Sequence, residues 1–191
     1  MPRRPGLDTA VVVEAAARLI DAEGVEALSL SRLATQLGIR TPSLYNHIDG
    51  LPGLQLALAR RNAAVLAERL GNAAIGKSGG EAVRSVAQAF RDYIKSAPGV
   101  YTVATRRLPG QTQADTTLEQ AESRVVEIVL AVVSSYGLEG EEALHAVRGL
   151  RSLVHGFATL ETAGGFGLPL DLDESFRRLV DVFIAGLECS A

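Results

Sequence analysis

A glycine set between two short segments with polar outer faces constrains this chain more than any other feature. Gly38 separates Ser29-Leu30-Ser31-Arg32-Leu33-Ala34-Thr35-Gln36-Leu37 from Ile39-Arg40-Thr41-Pro42-Ser43-Leu44-Tyr45-Asn46-His47-Ile48-Asp49-Gly50. Ser29 can accept a hydrogen bond from an orphan amide of a first turn, so a helix starts there. Gly38 ends that helix where a left-handed backbone is cheap only for glycine. Thr41 is expected to cap the next helix, with Pro42 at its first helical position, where a missing N–H costs nothing. Two short helices joined by a glycine turn make a helix-turn-helix, whose second helix fits the major groove of DNA.

The rest of the chain reads as helical. Val12, Ala15, Ala16, Leu19 and Ile20 recur at spacings of three and four, which predicts a helix over Thr9–Glu23 with Asp8 as N-cap and Gly24 as its stop. Gly50-Leu51-Pro52-Gly53 is expected to break the chain before a long helix over residues 54–72. Further helices are predicted over 81–96, 118–136, 141–162 and 174–188, with 100–107 as a short helix or turn. No strand-like alternation interrupts them. The fold class is therefore all-α, about nine helices, with a three-helix domain over 1–53, a connecting helix and linker over 54–76, and a helical bundle over 77–191.

The linker contains a deceptive string. Gly71, four residues, then Gly76-Lys77-Ser78 meets the spacing of a phosphate-binding loop. That loop works only between a buried strand and a helix. The preceding residues 60–70 are instead a charged helical run, so an inter-helix linker is the expectation.

Composition narrows the function classes. At 191 residues, 47% hydrophobic and 21% charged, the chain can bury a sizeable core and is neither disordered nor collagen-like. Residues 1–8 are short, basic and proline-containing, without the apolar stretch of a secretory signal, and no apolar run reaches membrane-spanning length. The single cysteine, Cys189, cannot form an internal disulfide. The expectation is a cytoplasmic protein with no cofactor. A metal site is not expected either, because His47, His145 and His155 lack a carboxylate or cysteine at ligand spacing. The net charge of −3 argues against nucleic acid only at first sight. Residues 1–70 carry eight arginines against seven acids, and phosphate contact depends on the local face rather than the sum.

With the amphipathic helix before them and a long helix after, Gly24, Ser29, Arg32, Leu33, Ala34, Leu37-Gly38-Ile39 and Leu44-Tyr45-Asn46-His47 stand in the order of a known domain. Residues 8–65 resemble the DNA-binding domain of the tetracycline-repressor (TetR) family of bacterial regulators. Gly149-Leu150-Arg151-Ser152-Leu153-Val154-His155-Gly156-Phe157 and Gly164-Gly165-Phe166 resemble the C-terminal domain of a subgroup marked by Trp-His-Gly, although this chain has Val154 before His155-Gly156. The resemblance implies a ligand-responsive regulator, a repressor released from a near-palindromic operator by a small apolar effector. The rival reading is a helical-bundle enzyme or small-molecule carrier, for which no nucleophile, base and orienting group can be named.

Helix-turn-helix geometry assigns the DNA contacts to the start of the second helix and its flanks. The candidates are Ser29, Arg32, Arg40, Thr41, Ser43, Tyr45, Asn46 and His47. Arg40 would read a guanine or clamp a phosphate, with Thr41 and Ser43 as shorter contacts. The resemblance implies that Tyr45 and His47 grip phosphates, while Leu44 and Ile48 face the core. It also places a lysine where this chain has Leu51. Arg3 and Arg4 either reach DNA or form a loose basic tail. In the C-terminal half, Phe90, Tyr93, Tyr101, His155 and Phe166 are the candidates for an effector cavity, set against the simpler role of core residues. The last two long helices are apolar on more than one side, which a lone small domain cannot bury. A homodimer through them is expected, with Val180 and Ile184 in the seam.

Overall fold

The computed structural model describes residues 7–106 and 115–189. They form nine α-helices and two short 3-10 helices, with no strand among the described residues. The helices are α1 (Thr9–Glu23), α2 (Leu30–Leu37), α3 (Thr41–Leu44), α4 (Gly50–Ala74), α5 (Gly79–Ser96), α6 (Pro98–Thr105), α7 (Thr116–Val133), α8 (Gly140–Thr162) and α9 (Leu172–Cys189). The described residues within 1–62 and 99–118 form one compact unit, and those within 63–98 and 119–191 a second.

In the first unit the predicted caps are in place. Asp8 accepts from the Val11 amide at 2.8 Å and Ser29 from the Arg32 amide at 3.3 Å. Gly38 takes the left-handed conformation at φ 68°, ψ 32°, and its amide bonds back to the end of α2. The buried side chains Val12, Ala16, Ile20, Leu33 and Leu44 follow the predicted stripe. Two boundaries differ from expectation. Arg40, not Thr41, is the N-cap of α3, because its extended backbone leaves its carbonyl to receive the Ser43 amide at 2.9 Å. Gly50-Leu51-Pro52-Gly53 begins α4 rather than preceding it: Pro52 lies in a first turn, where no amide partner is needed, and Gly53 already donates to the Asp49 carbonyl at 3.1 Å.

The first unit also includes α6, which docks on the end of α1. The amides of Gly99 and Val100 both donate to Asp21 Oδ1, at 2.9 and 3.0 Å. A carboxylate thus satisfies two orphan donors of the α6 N-terminus, where negative charge is favoured. Only glycine permits the approach, since a Cβ at position 99 would lie 2.6 Å from the Ile20 carbonyl carbon.

In the second unit α5 packs against α8 and α9, and Val83, Val86, Ala87, Ile94, Leu150, Val154, Ala158, Phe176 and Ile184 are buried. Gly71 of the phosphate-loop string lies inside α4 and Gly76 at its end with φ 73°, so the string is helix and turn. A charge sits inside this unit. Arg91, 1% exposed, donates Nε and Nη2 to the Glu161 carboxylate at 2.7 and 2.8 Å. Its Nη1 meets Asp173 at 2.7 Å. The Phe157 and Phe176 rings lie 5.4 and 4.8 Å from the guanidinium carbon. Burial works against the Arg91 charge, but the hydrogen bonds to Glu161 and Asp173 outweigh it and raise its pKa. Burial likewise pushes the Glu161 carboxyl up, and hydrogen bonds from Arg91 and Lys95 bring it below its ordinary value.

The apolar residues of α9 divide between two faces. Phe176, Val180, Ile184 and Leu187 are buried, whereas Leu179 is 38% and Val182 71% exposed. Val180 and Ile184, expected in a seam between subunits, are buried within a single copy of the chain; the large apolar side chains exposed on α8 and α9 are Leu144, Leu160, Leu179 and Val182.

Candidate nucleic-acid interface

Leu44 and Ile48 anchor the candidate DNA-reading segment. Leu44 is fully buried and Ile48 6% exposed, and the Leu44 carbonyl accepts from the amides of His47 and Ile48 at 2.9 and 3.0 Å. The chain leaves α3 in a tight turn that is fixed at its apolar positions and open at its polar ones. Thr9 Oγ1 donates to the His47 carbonyl at 2.9 Å, tying that turn to the start of α1.

On this base Arg40, Tyr45 and Asn46 are exposed, Tyr45 at 59%, and Thr41, Ser43 and His47 are half-buried. These six lie within eight residues and combine donors, acceptors and one full positive charge. Ser29 and Arg32 are differently placed. Ser29 uses its hydroxyl oxygen as a helix cap, and the Arg32 guanidinium is paired with Glu23 of α1. Arg3 and Arg4 lie outside the described residues.

The electrostatics of this unit are more selective than its arginine count. Arg32 pairs with Glu23, Arg60 with Asp115 and Arg61 with Glu14. The hydrogen bond from Arg60 holds the Asp115 carboxyl below the usual carboxylate range. Arg18 and Arg40 have no carboxylate within ion-pair distance among the described residues. Arg18, exposed on α1, and Gln36, exposed at the end of α2, were not singled out from the sequence. Their only signal was a position opposite the apolar stripe. Asp49 is exposed beside the start of α4.

Of the five candidate effector residues, four belong to the second unit and Tyr101 to the first. Phe90 and Tyr93 are buried on α5, and Tyr101 is buried on α6 in the first unit. His155 is exposed on α8. Phe166 stacks on Phe157 at a centroid distance of 4.8 Å.

A helix-turn-helix with a polar reading turn, followed by a separately packed helical unit, defines a DNA-binding transcriptional regulator of the two-domain helical class. Comparison with known proteins makes this specific. The family described as bacterial regulatory proteins, tetR family, matches residues 12–48, and that described as tetracyclin repressor-like, C-terminal domain, matches residues 83–183. The chain is 35% identical to the HTH-type transcriptional regulator YobS of Bacillus subtilis (strain 168), over 98% of this chain and 96% of that protein. It is 37% identical to the HTH-type transcriptional regulator Rv0681 of Mycobacterium tuberculosis, over 93% of this chain and 80% of that one. A solved structure of a protein from Rhodococcus sp. RHA1 shares the fold at a TM-score of 0.82 and 22% identity, covering 98% of this chain and 99% of its own. The chain belongs to the TetR family of transcriptional regulators.

Proposed function

We propose that this regulator is a homodimeric repressor, working in the cytoplasm, whose two reading heads leave a near-palindromic operator when a small molecule binds the second unit. The observation that carries the reading is the polar set Arg40, Thr41, Ser43, Tyr45, Asn46 and His47, held outward over buried Leu44 and Ile48. Arg40 is suited to a guanine edge or a phosphate, Thr41 and Ser43 to shorter contacts, and Tyr45 and His47 to phosphate oxygens. Arg32 orients α2 through Glu23 before it contacts DNA.

Dimerisation is supported by the exposed apolar residues Leu144, Leu179 and Val182, which an isolated copy would leave in water. A two-fold dimer places two identical heads on one side of a duplex, so the operator should repeat its half-site in inverted order. Occupation of such a site obstructs transcription without any further activity of the protein, which favours repression. Among the described residues no helix is long and apolar enough to cross a membrane.

The test is selection from a pool of random duplexes, followed by titration of the enriched sequence at several salt concentrations. Enrichment of an inverted repeat with half-site centres about 34 Å or a multiple apart is expected. Log affinity should fall linearly with log salt. Recovery of no preferred sequence, or of one unrepeated half-site, overturns the dimeric-repressor reading.

A further inference from the structure

The second unit contains a cavity of about 440 Å³, walled by the last turn of α4, the outer side of α5 and the first half of α9. Its volume is in the range of small-molecule sites. Phe176 and Val180, each 2% exposed, present their remaining surface to it as an apolar floor. Lys77, Arg84 and Arg177 bring three cations to its lining, and Asp92, which accepts from the Gln88 amide at 2.9 Å, is the one lining carboxylate.

The three cations are not equally committed. Arg177 is held by Glu174 and Asp181 through all three of its nitrogens. Arg84 meets Asp181 through Nε alone, at 2.8 Å. Lys77 donates to the Ser85 hydroxyl at 2.7 Å, a neutral partner, and no carboxylate among the described residues lies within ion-pair distance of it. Positive charge is therefore in excess at the Lys77 end, while the Phe176 end is apolar.

We propose that this cavity binds a small organic acid, its anionic head on Lys77 and the terminal nitrogens of Arg84 and its apolar body on Phe176 and Val180. This deepens the ligand-responsive reading and rests on it only for the consequence to DNA. It differs from the largely apolar molecule expected from the sequence, because this cavity is lined by Lys77, Arg84 and Arg177 rather than by the five aromatic and histidine candidates. The site bears on DNA through a single element: Ala73, in its wall, belongs to α4, the same helix that starts at Gly50 directly after the reading turn. An acid that binds one setting of that helix more tightly than another shifts the balance between them.

Two fluorescent probes with nearly the same aromatic body test this on the full chain. 8-Anilinonaphthalene-1-sulfonate carries an anionic head and N-phenyl-1-naphthylamine none. The wild type should bind the sulfonate about tenfold or more tighter than the neutral probe, the scale of a hydrogen-bonded charge. Lys77→Glu, at an exposed position, should abolish that preference and leave the neutral probe unaffected. Ala89→Trp, which fills the floor, should weaken both. Equal affinity of the wild type for the two probes overturns the proposal, as does sulfonate binding unchanged in both variants. Duplex affinity measured on the same samples separates the two levels. Unchanged duplex affinity at saturating sulfonate overturns the link to DNA alone, and absence of any duplex binding by the wild type overturns the regulator reading while the cavity result stands.

Discussion

Replacing Gly99 with alanine adds a methyl group where α6 meets α1. The new Cβ would lie 2.6 Å from the Ile20 carbonyl carbon and 3.0 Å from the Asp21 amide nitrogen, and closer still to the Ile20 carbonyl oxygen. All three are backbone atoms of a helix, so no side chain can rotate aside. Carbon contacts settle at about 3.5–4.0 Å, so the two helices would have to separate by roughly 1 Å. Overpacking of this kind costs about 1 to 3 kcal/mol. Separation also stretches the two bonds to Asp21 Oδ1, and hydrogen bonds to a charged group contribute about 1.5 to 3 kcal/mol each. Asp21→Ala removes the same bonds without the clash. Because either change opens one joint, the double variant should cost less than the sum of the single ones by at least about 0.5 kcal/mol. Urea unfolding at fixed protein concentration, extrapolated linearly to water, measures all three. Gly99→Ala as stable as the wild type, or a strictly additive pair, would refute the claim that α6 is bolted to α1 through Asp21.

Other outcomes can be measured alongside. Arg40→Ala should cost about 1 to 3 kcal/mol of operator affinity and relax preference at one base pair if it reads a base; an equal loss on every duplex identifies a phosphate clamp, and no loss in a fluorescence titration removes it from the interface. Val182→Asp should shift sedimentation equilibrium toward monomer while leaving the fold intact by circular dichroism. Val180→Asp should destabilise the chain instead, since it puts a carboxylate at a buried apolar position. Removing Arg91 by Arg91→Ala leaves Glu161 with Lys95 alone and should destabilise by about 3 to 5 kcal/mol, whereas Arg91→Met should cost less if the rings close over it. The folded state holds the Glu161 carboxyl below its ordinary 4.5, so its contribution is complete above that pH and is lost as pH falls through the folded value. Acid melts should therefore show a drop in wild-type stability below about pH 4.5 that Arg91→Met blunts; parallel pH profiles would count against it.

What was legible in the sequence was local. Asp8, Ser29 and Gly38 act through atoms a few residues away, so their roles follow from residue type and order. The errors at Thr41 and at Gly50-Leu51-Pro52-Gly53 share one cause. A first helical turn tolerates glycine and proline because its amides have no helical partner, so the same residues that suggest a break also suit a beginning. Pairs made across the fold left no trace in the pattern. Asp21 meets Gly99 78 residues away, and Arg91 meets Glu161 70 residues away. In a helical pattern Arg91 reads as one more solvated cation, and only the packing of α5 against α8 and α9 encloses it. The α9 faces show the same limit: the apolar residues exceed what one face holds, but their pattern did not say which of them the chain's own packing buries.

The pairing of Arg32, Arg60 and Arg61 with Glu23, Asp115 and Glu14 has a consequence for the life of this regulator among the rest of a genome. Affinity for arbitrary DNA grows with the number of phosphates a protein neutralises. A head in which three arginines are held by its own acids has fewer free cations for phosphate, and so holds chance sequences less tightly and leaves them sooner. Since about 10⁶ to 10⁹ competing sites surround any one target, weak retention elsewhere keeps most molecules in free solution. Few copies per cell then suffice to keep the target occupied, and a modest rise in ligand can empty it.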